Sequence, residues 1–235
     1  MNQDARHQDI SKAIPLEAIF QWEVRSWSRA LPLWTKHLPR HRPATALGIG
    51  EREGGSSLWL AGQGFDVVCT DLRTFPAETA ALHRNFGVSD RITYQQADAT
   101  ALPFADGTFD LVIFKSVIGA LGTKERQSRA IREMHRVLRP GGVLLFAENL
   151  QGTWAHGWLR RRYVAWSGYW RYLHPQEDRD LFTAFAKVYE GTTGLLSSLG
   201  RSAWQRDLLA RVDGLLMPLT PRTMRTIWYG VAIKA

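Results

Sequence analysis

The sequence predicts an α/β protein built on an open, doubly wound and mostly parallel sheet. Three observations carry that reading. Short apolar runs alternate with segments of helical periodicity from Ala44 to Leu150, a span of about 110 residues. The first apolar run enters the turn Gly48-Ile49-Gly50-Glu51-Arg52-Glu53-Gly54-Gly55, the kind of joint through which a strand passes into a helix beside a nucleoside. The next strand, Asp66 to Thr70, ends on Asp71, 21 residues after Gly50, where such a sheet carries the acid that meets a ribose.

The elements follow in order. Residues 1–14 are expected to be loosely ordered. Between Pro15 and Trp34 the apolar residues Leu16, Ile19, Phe20, Val24, Trp27 and Leu31 recur at steps of three and four, which predicts an amphipathic helix or a pair. Residues 1–43 therefore read as an N-terminal helical cap. Ala44–Ile49 is the first strand, and Ser56–Ala61 a short helix closed by Gly62 and Gly64. Pro76–Phe86 is a helix with proline in its first turn and Gly87 behind it. Arg91–Gln96 alternates as a third strand. Phe109–Phe114 is nearly all apolar, as a strand covered on both faces must be. Lys124–Leu138 is helical and is stopped by Arg139-Pro140-Gly141-Gly142. Val143–Ala147 is a fifth strand leading into Glu148-Asn149.

Beyond residue 150 the pattern weakens. Pro175–Phe185 and Ala203–Val212 read as helices, Lys187–Tyr189 as a short strand and Trp228–Ile233 as a closing strand. Residues 44–150 are thus a cofactor-binding core. Residues 151–235 are a helical acceptor lobe or lid with the closing strands of the same domain.

With 235 residues, 45% of them hydrophobic, the chain can build one sizeable core. Its single cysteine, Cys69, excludes an intrachain disulfide and falls in a buried strand. No run reaches the roughly 18 to 20 apolar residues of a membrane span, and the polar start Met1–His7 leads into no apolar signal core. A cytoplasmic setting is expected. The net charge of +8 points to an anionic partner: nucleic acid, an acidic small molecule or a membrane surface.

The glycine turn also says which cofactor to expect. Counted from Gly48, the sixth position is Glu53, so the dinucleotide fingerprint fails. Glu51 and Glu53 would repel a pyrophosphate, and no Lys-Ser/Thr pair is present. S-adenosylmethionine carries no phosphate but has a sulfonium and an ammonium, which acidic neighbours suit.

Three further motifs stand in series: Asp98-Ala99-Thr100-Ala101-Leu102-Pro103-Phe104, Phe109-Asp110-Leu111-Val112 and Val137-Leu138-Arg139-Pro140-Gly141-Gly142. Together with the glycine turn they resemble the class I S-adenosylmethionine-dependent methyltransferases of small-molecule type over about residues 44 to 150. The resemblance implies a seven-stranded, Rossmann-like methyltransferase fold. It implies that Gly48, Gly50 and Gly54 line the methionine part of the cofactor, with Glu51 and Lys115 beside it. Asp71 would hold the ribose, Leu72 would pack on adenine, and Asp98 and Ala99 would meet the adenine edge. Two positions depart from the family: Gly48 stands where an acid is common, and Arg52 where a second glycine is. Glu51 or Glu53 is expected to replace the missing acid. The stretch Glu51–Leu60 is similar to methyltransferases of glycan and polysaccharide biosynthesis, which suggests O-methylation of a sugar hydroxyl.

A hydroxyl acceptor needs a base. His156 and Glu148 are the leading candidates, with Lys115, Ser116, Asn149 and His174 behind them. The seven histidines form no metal-like pattern, so no metal is expected. Trp154 to His174 holds Arg160, Arg161, Arg162 and Arg171 and no acid, with Trp158, Arg162, Trp166 and Trp170 at steps of four. It reads as a substrate lid for an anionic acceptor, as a basic amphipathic helix in peripheral contact with a membrane, or as a core-packing helix with a solvated basic face. Lys115-Ser116-Val117-Ile118 stands where enzymes methylating nucleobase or glutamine nitrogens carry Asn-Pro-Pro-aromatic, so nucleic acid is not the expected acceptor. A methyltransferase acting on a lipid or membrane-linked acceptor, and a protein that keeps the fold only to bind, remain the alternatives. Oligomeric state is left open.

Overall fold

The computed structural model describes residues 14–235. The expectation for the extreme N-terminus falls almost entirely outside these residues, and so does the side chain of Trp166. In chain order the elements are α1 (Leu16–Phe20), α2 (Val24–Trp27), α3 (Leu31–Lys36), β1 (Thr45–Ile49), α4 (Gly55–Gly62), β2 (Asp66–Asp71), α5 (Ala77–Asn85), β3 (Ile92–Gln96), β4 (Phe109–Lys115), α6 (Lys124–Val137), β5 (Leu138–Asn149), α7 (Trp154–Tyr163), β6 (Lys187–Thr193), α8 (Ala203–Leu216) and β7 (Ile227–Ile233). One seven-stranded sheet runs in the order β3-β2-β1-β4-β5-β7-β6. The first five strands are parallel, and β7 is antiparallel to both β5 and β6. This is the Rossmann-like methyltransferase arrangement. The chain reverses between β1 and β4, so the carboxyl ends of β1, β2 and β4 open a crevice at the switch point.

Side chains of the central strands alternate between two cores. Leu111, Ile113, Val143 and Leu145 join Phe20, Trp27, Trp34, Leu58 and Phe65 on one face. Val112, Phe114, Leu144 and Phe146 join Ile131, Met134 and Trp228 on the other. That two-sided burial is why β4 and β5 read as unbroken apolar runs rather than as alternation.

Two helix expectations fail for local reasons. The N-terminal amphipathic run is split into short pieces because Gln21 (φ 58°) and Glu23 (φ 46°) leave the helical region. The result is a strap, Gln21-Trp22-Glu23, laid across the end of β4, where Lys115 Nζ donates to the Phe20 carbonyl at 3.1 Å. Pro175–Phe185 holds one 3-10 turn, Arg179–Phe182. The buried Asp178 accepts from the His174 backbone N–H at 2.8 Å and from Arg171 at 2.7 Å, and this turn competes with a helix. The same pair corrects the acid-free reading of the Trp-Arg stretch: Arg171 is neutralised from seven residues on. The stripe at steps of four also breaks, since α7 ends at Val164 in extended backbone and Trp170 instead lies against Gly119.

Candidate functional site

The site lies where the carboxyl edge of the sheet meets the N-terminal strap and the segment after β5. A cleft of about 970 Å³ is lined by Gly50, Glu51, Arg52 and Glu53 from the turn after β1, by Trp22 and Glu23 from the strap, and by Lys115 from β4. Its far wall is made by His156, Arg160 and Tyr163 of α7, Trp170 and Tyr172 beyond it, and Arg201 and Arg206 at the start of α8. A second depression is lined only by the N-terminal helices, around Leu31 and Pro32.

The turn is tight. Gly50 (φ 63°) has no room for a side chain, since a Cβ would fall 2.6 Å from Val117 Cγ2. Gly54 (φ 76°) is as confined, against His83. Arg52 takes a positive φ of 20° and turns its side chain to solvent, so the backbone tolerates it where glycine is common.

Gly48 does not line the cleft. It is buried in β1, and a Cβ there would lie 2.7 Å from Glu51 Cγ and 2.6 Å from Ser57 Oγ. The side chain of Glu51 fills the space a residue at 48 would use. Its carboxylate accepts from the Ser57 backbone N–H at 2.9 Å, and burial pushes its pKa above the usual carboxylate range. Lys115, half-buried, has its pKa lowered to about 8 by desolvation, against the pull of Glu51, Glu53, Glu148 and Glu23. Its ammonium sits 3.4 Å from the centre of the Trp22 ring, a cation–π contact.

Asp71, Leu72, Asp98 and Ala99 lie outside this enclosed cleft, along the ends of β2 and β3. Asp71 accepts from the Arg52 N–H at 2.9 Å and from the Arg73 N–H at 2.8 Å, which ties the turn after β1 to the end of β2. Leu72 projects into solvent as an exposed apolar side chain. One oxygen of Asp98 accepts from Thr100 N–H and Oγ1, both at 2.8 Å, and those bonds lower its pKa. The loop after it is pinned by Arg136, which donates to the Leu102 and Phe104 carbonyls and to Glu133 and Asp106.

Neither expected base is placed to act as one. Glu148 is fully buried and accepts from the backbone N–H groups of Val117 (2.8 Å), Gly119 (3.3 Å) and Asn149 (2.7 Å), so it anchors the loop after β4 and does not line the cleft. His156 does line the cleft, but both ring nitrogens are engaged. Nε2–H donates to the Leu195 carbonyl at 2.7 Å, which fixes the tautomer, and Nδ1 accepts from the Thr153 N–H at 3.1 Å. Burial lowers its pKa, the direction that favours the neutral ring. Of the three consecutive arginines only Arg160 turns inward, donating to the Leu150 and Gln151 carbonyls and stacking 4.0 Å over Tyr172. Arg161 and Arg162 face solvent.

Sequence reasoning missed Trp22 and Glu23. Burial raises the Glu23 carboxyl, while Arg206 and Arg160 draw it back down. Unlike Glu51 and Glu148, it accepts no backbone N–H among the described residues. Its helical spacing hid it: only the positive φ at Gln21 and Glu23 swings this segment into the cleft.

Comparison with known proteins agrees with this geometry. Residues 47–146 match the family described as a methyltransferase domain. A ubiquinone/menaquinone biosynthesis C-methyltransferase, UbiE, of Klebsiella pneumoniae is 46% identical over 65 residues, 28% of this chain and 25% of that protein. The chain thus matches about a quarter of that relative's length. Among solved structures, phosphoethanolamine N-methyltransferase 2 of Haemonchus contortus, in complex with S-adenosyl-L-methionine, superposes with a TM-score of 0.63 at 19% identity, over 88% of this chain and 52% of that one. The YcgJ protein of Bacillus subtilis gives a TM-score of 0.61 at 17% identity over 88% and 98%. A confined glycine turn tied to the acid that ends β2, on a sheet of this strand order, lies within the residues 47–146 that match a methyltransferase domain, and over that span the chain is similar to S-adenosylmethionine-dependent methyltransferases.

Proposed function

We propose that this chain transfers a methyl group from S-adenosylmethionine to a hydroxyl of a small anionic acceptor bound in the cleft. The observation that carries the reading is the division of the cleft into an acidic wall, Glu51, Glu53 and Glu23, and a basic aromatic wall, Arg160, Arg201, Arg206 and Tyr172.

The residues fit the cofactor. The carboxylates of Glu51 and Glu53 suit its ammonium end, and the confined backbone at Gly50 and Gly54 lets it approach closely. Asp71 would meet the ribose hydroxyls, Leu72 the adenine face, and Asp98 with the Ala99 backbone the adenine edge. Bound, the cofactor supplies an activated methyl group on a sulfonium. The chain's own task is alignment and, for a hydroxyl, removal of a proton. Arg160, Arg201 and Arg206 would hold the acceptor's phosphate or carboxylate. Glu23 would take the proton: burial raises its pKa, which strengthens it as a base, while Arg206 and Arg160 oppose that rise.

The division into a cap, a core over residues 44–150 and an acceptor lobe over 151–235 follows from this reading. Nothing in the cleft singles out a sugar, so the glycan likeness is not carried into it. No described helix is long and apolar enough to cross a membrane. We place the protein in the cytoplasm, with any membrane contact peripheral.

Release of S-adenosylhomocysteine, measured across a panel of phosphorylated and carboxylated hydroxy compounds, tests the reading. Turnover is expected with an anionic member and not with its neutral analogue. In Glu23→Gln, kcat should collapse while calorimetric affinity for S-adenosylmethionine holds. Equal turnover of charged and neutral acceptors would overturn the anionic reading, and full activity of Glu23→Gln would remove the base.

A further inference from the structure

About half of the large apolar side chains exposed among the described residues lie on α7, on α8 or just after it, beside the cleft. On α7, Trp154 is 85% exposed and Trp158 about half exposed. On and just after α8, Trp204, Leu208, Leu215 and Leu219 all project into water, Leu215 at 80% and Leu219 at 84%. Trp204, Leu208 and Leu215, four and seven residues apart, fall on one stripe of a helix with 3.6 residues per turn, and Leu219 lies in the turn that follows α8. The opposite side of α8 is occupied: Asp213 accepts from the backbone N–H groups of Leu195, Leu196 and Ser197, and Ala210 is buried. The stripe is therefore the face of α8 that the fold leaves unpartnered.

The two helices are neighbours. His156, near the start of α7, bonds to Leu195, whose own N–H bonds to Asp213 late in α8. At the other end, the Arg201 guanidinium lies 4.3 Å over the ring of Tyr163, the last residue of α7. The helices thus run antiparallel on either side of the segment from Leu195 to Arg201, and both reach the mouth of the cleft.

The charge around this surface is mostly positive. Arg161 and Arg162 flank the tryptophans of α7 and are exposed. Arg201 and Arg211 flank the stripe of α8. No acid occurs from Asn149 to Gln176. Asp207, on α8 itself, is held between Arg25 and Arg211 at 2.8 and 3.0 Å. A partner protein would need apolar knobs and acids placed to match. An anionic bilayer needs neither: its headgroups take arginines anywhere along the rim, and its interface takes tryptophan and leucine side chains from a helix lying in the plane.

We propose that the exposed face of α7 and α8 docks on the surface of an anionic lipid bilayer, with both helices lying in the interface and the cleft mouth turned towards the lipid. The contact does not depend on which acceptor is methylated.

The experiment is co-sedimentation of the full chain with phosphatidylcholine vesicles, with and without phosphatidylglycerol, at low and high salt. The wild type is expected to bind the anionic vesicles, to bind the neutral ones weakly, and to release as salt rises. Leu215→Glu with Leu219→Glu should lower binding by about tenfold or more, since both apolar side chains and the charge balance are lost. The two side chains are exposed, so near-UV circular dichroism and affinity for S-adenosylmethionine should not move. No binding of the wild type to anionic vesicles overturns the proposal. So does binding that responds to salt but not to the double variant, which would be charge attraction alone. If sedimentation velocity shows a dimer that the double variant abolishes while vesicles bind neither form, the face belongs to a second copy and the lipid assignment falls.

Discussion

The two walls of the cleft are held in different ways. On the cofactor side, three acids are fixed by backbone amides close to them in sequence or on the adjoining turn: Glu51 by Ser57, Asp71 by Arg52 and Arg73, Asp98 by Thr100. On the acceptor side, Arg160 reaches back to carbonyls nine and ten residues earlier, and with Arg206 it faces Glu23 of the acidic wall. The first wall is built by short loops at strand ends, so its carboxylates are set once the sheet forms. The second is assembled from segments far apart in the chain. A carboxylate held by N–H groups is rigid and keeps its charge in place. Arginines leaning on carbonyls and rings keep donors free for an incoming anion. Preorganisation on one side and spare donors on the other suit an invariant cofactor and a variable acceptor.

The sharpest break in that comparison comes from Glu148, the acid that sits between the walls. If it is structural, Glu148→Ala leaves three N–H groups, one buried and two half-buried, without their acceptor and should cost about 3 kcal/mol or more, given roughly 1 to 3 kcal/mol for each unsatisfied buried group. Urea unfolding measures it. A variant of wild-type stability with no turnover would restore Glu148 as a catalytic group. Asp71→Ala comes next. It should weaken S-adenosylmethionine by about 1 to 3 kcal/mol, or roughly 5- to 150-fold in Kd, with the acceptor KM little changed. Equal effects on both constants would mean that the walls are not independent.

Legibility divides along the same line. The alternation of strands and helices, the glycine turn and the acid ending β2 could be read because each depends on local pattern: period, glycine, and the residue ending a strand. Gly48 could not, since only the packed structure reveals that Glu51 fills its place. His156 and Glu148 have the right chemistry for a base, but the sequence does not show that their lone pairs are spent on Leu195, Thr153 and the loop after β4. Glu23 was hidden for the converse reason. Two positive φ angles in a segment of good helical spacing move it from a helix face to the cleft, and nothing in its neighbours' identity announces them. The expected helix at 175–185 failed because a buried Asp178 holds a turn whose partner, Arg171, comes from a separate stretch.

Lys115 joins the walls and gives a smaller effect with a definite sign. Its pKa is lowered to about 8 in the fold, against about 10.4 in an unfolded chain. Between those pH values the unfolded state binds the extra proton, so this residue's contribution to stability rises with pH. The slope is at most about 1.4 kcal/mol per pH unit. It should appear as the difference between wild type and Lys115→Met in urea midpoints from pH 8 to pH 10. Parallel curves would mean that Lys115 is solvated and that the Trp22 strap does not cover it.

The smallest expected effects separate Arg160 from its two neighbours. In sequence the three arginines form one basic block, but α7 turns them differently. Arg160 lies in the cleft over Tyr172, while Arg161 and Arg162 face solvent. Arg160→Gln removes a charge-assisted donor from the acceptor wall and should raise the acceptor KM by about tenfold, for a hydrogen bond worth 1.5 to 3 kcal/mol that is partly replaced by the amide. Some stability should go with it, because the Leu150 and Gln151 carbonyls lose a partner. Arg161→Gln with Arg162→Gln should leave both kinetic constants unchanged with a soluble acceptor, since exposed charges at that distance are screened within about 8 to 10 Å. The same double variant should still weaken binding to anionic vesicles. If instead Arg161 and Arg162 control the KM of a soluble acceptor and Arg160 does not, the acceptor enters over the outer face of α7, and the basic wall of the cleft has been assigned to the wrong side of that helix.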